Sequence, residues 1–358
     1  MDFESVATFL AQTGQPGFRS RQVEQAVTQG FAQSYDEITS LPLGLRAELT
    51  ESVPLLDLSV EEVQRSQDGT IKVRFSARDG FPVEAVAMRH RNRRTVCVSS
   101  QSGCPLACTF CATGDMGLGR NLTSGEILEQ VLVLARLLRD EDSATVGNVV
   151  MMGMGEPFLN YDQVLTACRR INDPDGFGLG ARSIAISTAG WVPGIERLAE
   201  EPLQVKLALS LHAPNDALRA ELMPVTRRFP LEQLMQACAG YRERTRRRIF
   251  VEYLLLDGVN DSDGLADELA DLLPASGYHV NLIAYNPTGS EFRASPPQRV
   301  AEFAAQLRRR GVAASYRRSH GQDIDAACGQ LAVKGAAELR RRRRRDASLV
   351  ASRPAAGR

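Results

Sequence analysis

The chain has 358 residues, of which 43 % are hydrophobic and 24 % charged, a composition that excludes wholesale disorder, a collagen repeat and a disulfide-stapled miniprotein. At about 150 residues per domain, the length suggests two domains, or one large α/β domain with a smaller attachment. Lys plus Arg balances Asp plus Glu at 43 each, so overall charge does not announce nucleic acid, and any such partner must be held by local patches.

The start, Met1-Asp2-Phe3-Glu4, lacks the basic segment and apolar stretch of a secretion signal, and no run of about 18 apolar residues follows. The expected compartment is the cytoplasm, with no membrane partner. Residues 1–54 show helical spacing in Val6, Phe9 and Leu10 and again in Val23, Val27 and Phe31, broken at Gly14, Gly17 and Gly30. They read as an N-terminal helical accessory domain. Over 55–94 the period changes to two: Ile71, Val73 and Phe75 alternate with Lys72 and Arg74, and Asp68-Gly69 and Asp79-Gly80 mark tight turns. This is a short antiparallel β meander.

From 95 to 333, apolar β-rich runs at 96–99, 149–152, 183–187, 205–211, 249–256 and 280–284 alternate with helix-length segments. Thr123 and Glu126 form a capping box opening a helix through Leu138, and further helices fit 161–171, 231–244, 262–273 and 297–310. Six alternations of strand and helix predict an α/β fold with a parallel sheet curled into a full or partial barrel, and 312–317 suits one more strand. Residues 334–358, arginine-rich and then Ser/Ala/Pro/Gly-rich, read as a basic disordered tail.

Arginine is clustered at 89–94, 242–248, 308–318 and 340–345. Each cluster alone could be a solvated helix face or a loose end. Four together lean towards a polyanionic partner.

Seven cysteines in a chain without a leader do not describe a disulfide framework. Cys104, Cys108 and Cys111 crowd directly after the first barrel strand, a spacing that lets soft thiolates converge on zinc or an iron-sulfur cluster. A closed zinc site needs four ligands, and nothing nearby completes it: Cys97 is on the strand and His90 lies further back. Three cysteines on a 4Fe-4S cluster leave one iron open. Cys168 and Cys238 fall within helical patterns and read as core residues, and His90, His279 and His320 as surface or core residues rather than ligands.

The pattern Cys104-x3-Cys108-x2-Cys111, with Phe110 before its third cysteine, resembles the radical S-adenosylmethionine (SAM) superfamily. Further motifs sharpen this: Val96-Cys97-Val98-Ser99, Met152-Gly153-Met154-Gly155-Glu156-Pro157, Ser210-Leu211-His212, Asn286-Pro287 and Asp325-Ala326-Ala327-Cys328-Gly329 are similar, in this order, to the RlmN/Cfr family of RNA adenine methyltransferases. The resemblance implies a radical SAM partial (β/α)6 barrel carrying one 4Fe-4S cluster on Cys104, Cys108 and Cys111, and two SAM molecules used per turnover. It carries SAM contacts onto Gly155, Glu156, Ser187, Ser210, Leu211, His212 and Asn286. The matching cysteine of the family takes a methyl group from one SAM by ordinary displacement, here Cys328. A radical from the second SAM removes hydrogen from that methyl, and the resulting carbon radical adds to adenine. Cys97 matches the resolving thiol, which releases the product through a transient Cys97 to Cys328 disulfide, and Glu84 matches the proton acceptor.

The implied substrates are adenosine carbon 2 in the peptidyl transferase centre of 23S rRNA and in tRNA just 3′ of the anticodon, with a flavodoxin or ferredoxin as electron donor and a monomeric enzyme. Ala112-Thr113-Gly114-Asp115 resembles the Cfr side of the family, which methylates carbon 8 and confers antibiotic resistance, whereas Gly155-Glu156-Pro157 resembles the RlmN side. Carbon 2 is the favoured reading. A rival of another class is a zinc-containing RNA-binding protein without catalysis, in which Cys97 and Cys328 need no special chemistry.

Overall fold

The computed structural model describes residues 3–331 except 91, 92, 275 and 318, so the arginine run 340–345 lies outside the described residues. Helices α1 (Phe3–Gln12), α2 (Phe18–Thr28) and α3 (Leu43–Ser52) come first. Their apolar stripes, among them Val6, Leu10, Val23, Val27 and Leu49, merge with the main core. The meander follows as β1 (Leu58–Arg65), β2 (Ile71–Ala77) and β3 (Pro82–His90).

β3 pairs antiparallel with β4 (Arg93–Val98), so the meander and the barrel share one sheet. A separate hairpin of β5 (Gln101–Gly103) and β6 (Leu118–Asn121) encloses the three-cysteine loop and the short α4 (Ala112–Met116). Six parallel strands continue from β4: β7 (Asn148–Met151), β8 (Ile184–Thr188), β9 (Lys206–Ser210), β10 (Ile249–Leu255), β11 (Tyr278–Ala284) and β12 (Ala314–Arg317). The order in the ten-stranded sheet is β1-β2-β3-β4-β7-β8-β9-β10-β11-β12, with β1 and β12 at its two ends. This is a partial barrel of six β/α units closed off by a seventh parallel strand. The crossovers are α5 (Ser124–Asp142), α6 (Tyr161–Asn172), α7 (Val192–Glu200), α8 (Asp216–Leu222) with α9 (Leu231–Thr245), α10 (Asp263–Leu272) and α11 (Pro297–Arg309). Among the described residues, no helix is long and apolar enough to cross a membrane.

The strands alternate rather than running apolar on both faces. Val96, Val98, Val149, Ile184, Ile186, Leu207 and Leu209 are fully buried under the helices, while Thr95, Cys97, Ser187, Ser210, Glu252 and Asn281 face a cavity of about 910 Å³. Closed α/β barrels fill that space with branched side chains. Here small and polar residues leave it open.

Helix α5 fixes the entry to the site. Its capping box forms as the sequence predicts, with Thr123 Oγ1 accepting from Glu126 N at 3.1 Å and Glu126 Oε2 accepting from Thr123 N at 2.9 Å. Two turns on, the buried Gln130 amide donates to Ser99 O at 3.0 Å and accepts from Ser99 N at 2.7 Å. The end of β4, from which the cysteine loop departs, is thereby pinned. Arg139 and Arg170, on α5 and α6, tie down the N-terminal helices through Gly30 O at 3.1 Å and Glu24 at 2.6 Å.

Candidate active site

The cysteine loop is held by main-chain bonds: Cys104 N donates to Gly117 O at 3.1 Å, Thr109 N to Leu222 O at 3.0 Å and Ala112 N to Gly329 O at 2.9 Å. Gly103, at φ +78°, lies so close to the Gly117 carbonyl that a Cβ would overlap it. All three thiols line the carboxyl-end half of the cavity, beside Glu156 and His212. Burial pushes Cys104 up to about 12 and Cys111 upward, and raises Cys108 well above the usual thiol value, with the neighbouring thiols adding to the rise in Cys104 and Cys108. They are neutral thiols that give up protons on binding a metal. Three soft donors on one loop at the wall of a roomy cavity fit a 4Fe-4S cluster, in which each thiolate meets a different iron. Among the described residues, no three His, Cys, Asp or Glu side chains gather tightly enough for a single ion.

The expected SAM contacts divide. Glu156 is buried, accepts from Ala189 N at 2.8 Å and Phe158 N at 3.1 Å, and is pushed up to about 7 by burial. It staples the loops after β7 and β8 together, with lone pairs left for a cationic ligand. Gly155 has φ +103°, and a Cβ there would stand 2.6 Å from the Gln101 side chain, so the protein's own packing requires glycine at this position. Ser187 and Ser210 bring their hydroxyls to 3.4 Å on adjacent strands. Leu211 is fully buried and not among the residues lining the cavity; its N donates to Glu252 O at 3.0 Å and its O accepts from Arg219 at 3.1 Å. Asn286 differs from the expectation: its amide donates to Cys328 O at 3.2 Å and accepts from Gln322 at 2.7 Å, so both of its ends hold the Cys328 loop.

His212 is buried at φ +59°. Its Nδ1 accepts from Leu254 N at 3.0 Å, and burial, then Arg219, holds its pKa down at about 3. A neutral ring whose Nδ1 accepts carries its proton on Nε2, which makes that edge a hydrogen-bond donor.

The loop of Cys328 is anchored on three sides. From the meander, Ser66 Oγ donates to Asp323 at 2.5 Å, Asp68 Oδ2 accepts from Gly321 N at 3.1 Å, and Lys72 Nζ donates to Asp325 O at 3.3 Å. From α4 come Ala112 N to Gly329 O and Thr113 Oγ1 to Leu331 O. The third side is Asn286 with Pro287, whose carbonyl accepts from Gln330 at 3.0 Å. The Cys328 side chain is exposed, to the cavity rather than to bulk water, and burial, followed by Glu252 and Cys111, raises it to about 11. Cys97 lines the same cavity. Burial raises it too, and Cys328 is the ionisable neighbour that bears on it most. Both are free thiols.

Glu84 is buried on β3 with Lys72 Nζ at 3.8 Å. Because Lys72 also holds Asp325 O, Glu84 stands beneath the Cys328 loop and not among the residues lining the cavity. Cys168 and Cys238 are fully buried core residues, as expected. His90, His279 and His320 are not scattered: all three line the other end of the same cavity.

Sequence reasoning missed Arg219. It is fully buried on α8, donating to Leu211 O at 3.1 Å, Thr226 Oγ1 at 2.8 Å, Ala189 O at 2.7 Å and Ser210 O at 3.3 Å. It ties the ends of β8 and β9 together behind Cys108. The available signal was its place three residues before Leu222, on the inward face of a short helix.

A model of the radical SAM superfamily matches residues 98–273. The chain is similar to proteins called probable dual-specificity RNA methyltransferase RlmN from Chloroflexus aurantiacus, 46 % identical over 350 residues, 94 % of this chain and 93 % of that one. It is equally similar to one of the same name from Mycobacterium marinum, 46 % identical over 341 residues covering 93 % and 94 % of the two chains. Among solved structures, a radical SAM methyltransferase from Sphaerobacter thermophilus superposes with a TM-score of 0.89 at 48 % identity, covering 92 % of this chain and 97 % of that one.

Proposed function

The chain belongs to the RlmN family of radical SAM RNA methyltransferases, and from that premise we propose that it methylates carbon 2 of adenosine in 23S rRNA and in tRNA, with the methyl group carried on Cys328. The observation that carries this reading is the meeting of five cysteines at one cavity: Cys104, Cys108 and Cys111 at one wall, with Cys97 and Cys328 beside each other. Carbon 2 of adenine lies between two ring nitrogens and is too electron-poor to attack a sulfonium methyl. When bound on Cys104, Cys108 and Cys111, the cluster supplies the electron that splits SAM and so provides a radical able to remove hydrogen from a methyl group.

The protein's own residues do the rest. Glu156 and the hydroxyls of Ser187 and Ser210 orient SAM, and the Nε2 donor edge of His212 gives it a fixed hydrogen bond. Cys328 attacks the methyl carbon of the first SAM as a thiolate, forming its own sulfur–methyl bond and releasing S-adenosylhomocysteine, so its thiol must give up its proton once SAM is in place. The loop anchors on Asn286, Lys72 and Asp68 fix where that carbon sits. Glu84 is the proton acceptor that the family resemblance implies, but it lies outside the cavity lining and reaches the ring proton only through an intervening carrier. Cys97 attacks the Cys328 sulfur, forming the Cys97 to Cys328 disulfide on the enzyme as the bond from that sulfur to the adenine-bound carbon breaks, and that carbon takes a proton to become the methyl group of the released product. An external flavodoxin or ferredoxin supplies the electrons.

The test is mass spectrometry of adenosines from 23S rRNA and tRNA of a host lacking its own enzyme, with and without this protein. Expected is 2-methyladenosine in both RNAs. Finding 8-methyladenosine would move the protein to the Cfr side of the family, and unmodified RNA with a zinc-loaded protein would favour the binding reading.

A further inference from the structure

Four of the clustered arginines are paired with carboxylates on folding. Arg89 pairs with Glu141 and Asp142, each at 2.7 Å, and Arg94 with Asp142 at 3.4 Å. Arg244 meets Glu200, and Arg310 bridges Asp267 and Asp271. These four arginines are therefore not free to meet a polyanion.

Of the cations without an ion pair, three meet at the cavity. Among the described residues, Arg93, Lys206, Arg248 and Arg317 form no ion pair, and three of them come from three different sequence clusters. Arg93 and Lys206 open β4 and β9, Arg248 immediately precedes β10, and Arg317 ends β12. Arg93, Lys206 and Arg317 are exposed and line the end of the cavity opposite the three-cysteine loop, with His90, His279 and His320 between them. Partial burial and then Arg93 and Arg317 push the Lys206 ammonium down, and His279 is pushed down by burial, then Arg248 and Arg317. Two carboxylates face this end: Glu252 is buried, accepts from Asn281 at 2.8 Å and has Arg317 as its cationic neighbour, and Asp68 accepts from Gly321 N, with His320 at 3.1 Å.

The cavity is therefore polarised. Its carboxyl-end half holds thiols and Glu156, its amino-end mouth holds cations in excess of carboxylates, and Cys328 stands between, within the influence of both Cys111 and Arg317.

The geometry points to the amino-end mouth of the barrel as the entrance for the RNA strand, with Arg93, Lys206 and Arg317 holding phosphates while the target base reaches inward to Cys328. This rests on the reading of the chain as an RNA-modifying enzyme. The separation decides the direction: a base extended from a phosphate at the mouth meets Cys328 before it meets the cysteine loop. Charge complementarity selects the occupant, since three exposed cations without a salt bridge, facing a single buried carboxylate at Glu252, suit a chain with one negative charge per nucleotide.

The experiment uses the full-length, cluster-loaded protein and a fluorescein-labelled RNA hairpin with an unpaired adenosine in its loop. Anisotropy gives Kd over a range of salt concentrations for the wild type, Arg93→Ala, Lys206→Ala, Arg317→Ala, the triple variant, Arg317→Lys, and the ion-paired control Arg310→Ala. Each single loss is expected to weaken binding about 5-fold and the triple about 100-fold, with the slope of log Kd against log salt shallower by about 0.7 for each phosphate that is no longer neutralised. Arg317→Lys should recover most of the affinity and Arg310→Ala should leave both quantities unchanged. A triple variant with wild-type affinity and slope overturns the proposal, and so does one that keeps RNA but loses an acidic flavodoxin, which would make the mouth a docking site for the electron donor. Product analysis on the wild type separates the two readings: cation-dependent binding without methyladenosine sinks the proposed activity and leaves the entrance standing. Methylation by a triple variant that binds undiminished does the reverse.

Discussion

His212 combines a left-handed backbone, burial and a ring nitrogen that accepts from Leu254 N at 3.0 Å, and these together determine its charge. Its folded pKa of about 3 lies below the ordinary value of 6.5, so between those limits the unfolded chain binds the extra proton. Stability is then fully present above pH 6.5 and falls towards pH 3, by up to about 1.4 kcal/mol per pH unit from this group. His90 and His279 are depressed as well and add to the slope, so the informative measurement is a difference. His212→Asn tolerates the positive φ and can still accept from Leu254 N, and urea titrations of the cluster-free protein at pH 4 to 7 should show a shallower acid loss than the wild type. Equal slopes would mean that His212 is not held neutral by the fold. The paired cysteines make the second residue-scale prediction. Cys328→Ala has no sulfur to methylate and should never join to RNA, whereas Cys97→Ala should add to adenine and stall, accumulating a nuclease-sensitive shifted band on a denaturing gel. An adduct in Cys328→Ala instead would reverse the two roles. The sequence singled out both cysteines through motif resemblance alone, and it carried no sign that Asn286 holds the Cys328 loop, because an asparagine past a strand end looks the same whether its amide meets a ligand or a neighbouring loop.

Helix α5 carries more of the site than its length suggests. Besides the capping box and the Gln130 clamp on Ser99, its Glu129 is buried and accepts from Asp57 N at 2.9 Å and Leu58 N at 2.7 Å, which sets where the meander begins. Replacing Glu129 by Ala leaves those donors facing an apolar interior and should cost about 1–3 kcal/mol, whereas Thr123→Ala, which removes a cap, should cost about 1 kcal/mol. Urea unfolding curves that rank the two in the opposite order would contradict this account. Elements of this kind were readable where a local rule governs them: Thr123 and Glu126 announce the helix start, and the predicted segments 161–171 and 231–244 match α6 and α9 within a residue or so. Helix α7 is not among the predicted helices; Pro193 and Gly194 inside its nine residues weaken the local helical signal. The meander was visible as strands, but its purpose was not. The Asp68-Gly69 turn holds the Cys328 loop from more than 250 residues away, and no local periodicity encodes a contact at that separation.

At the scale of the molecule, the seven cysteines sort by place rather than by chemistry. Cys168 and Cys238 are fully buried in the helical layer, while Cys104, Cys108 and Cys111 lie on a loop whose backbone is held without help from their sulfurs. The layered core runs unbroken from the N-terminal helices to α11, and the cysteine loop rests on its edge through Phe110, with Leu106, Cys108 and Cys111 only partly buried against it; because the loop's backbone is held by its own hydrogen bonds, the fold should not depend on what the loop binds. Replacing any one of Cys104, Cys108 or Cys111 by Ala should then abolish iron binding and turnover while moving the midpoint of urea unfolding of the cluster-free protein very little. Cys168→Ala and Cys238→Ala should do the opposite, keeping four irons per chain while losing about 1–3 kcal/mol of stability to the cavity left behind. Iron and sulfide assays on the anaerobically purified variants, set beside their unfolding curves, give the two readouts independently. A loop variant that unfolds as readily as Cys168→Ala would mean that the metal centre is part of the folding core, and a core variant that loses its iron would mean that the helical layer positions the loop.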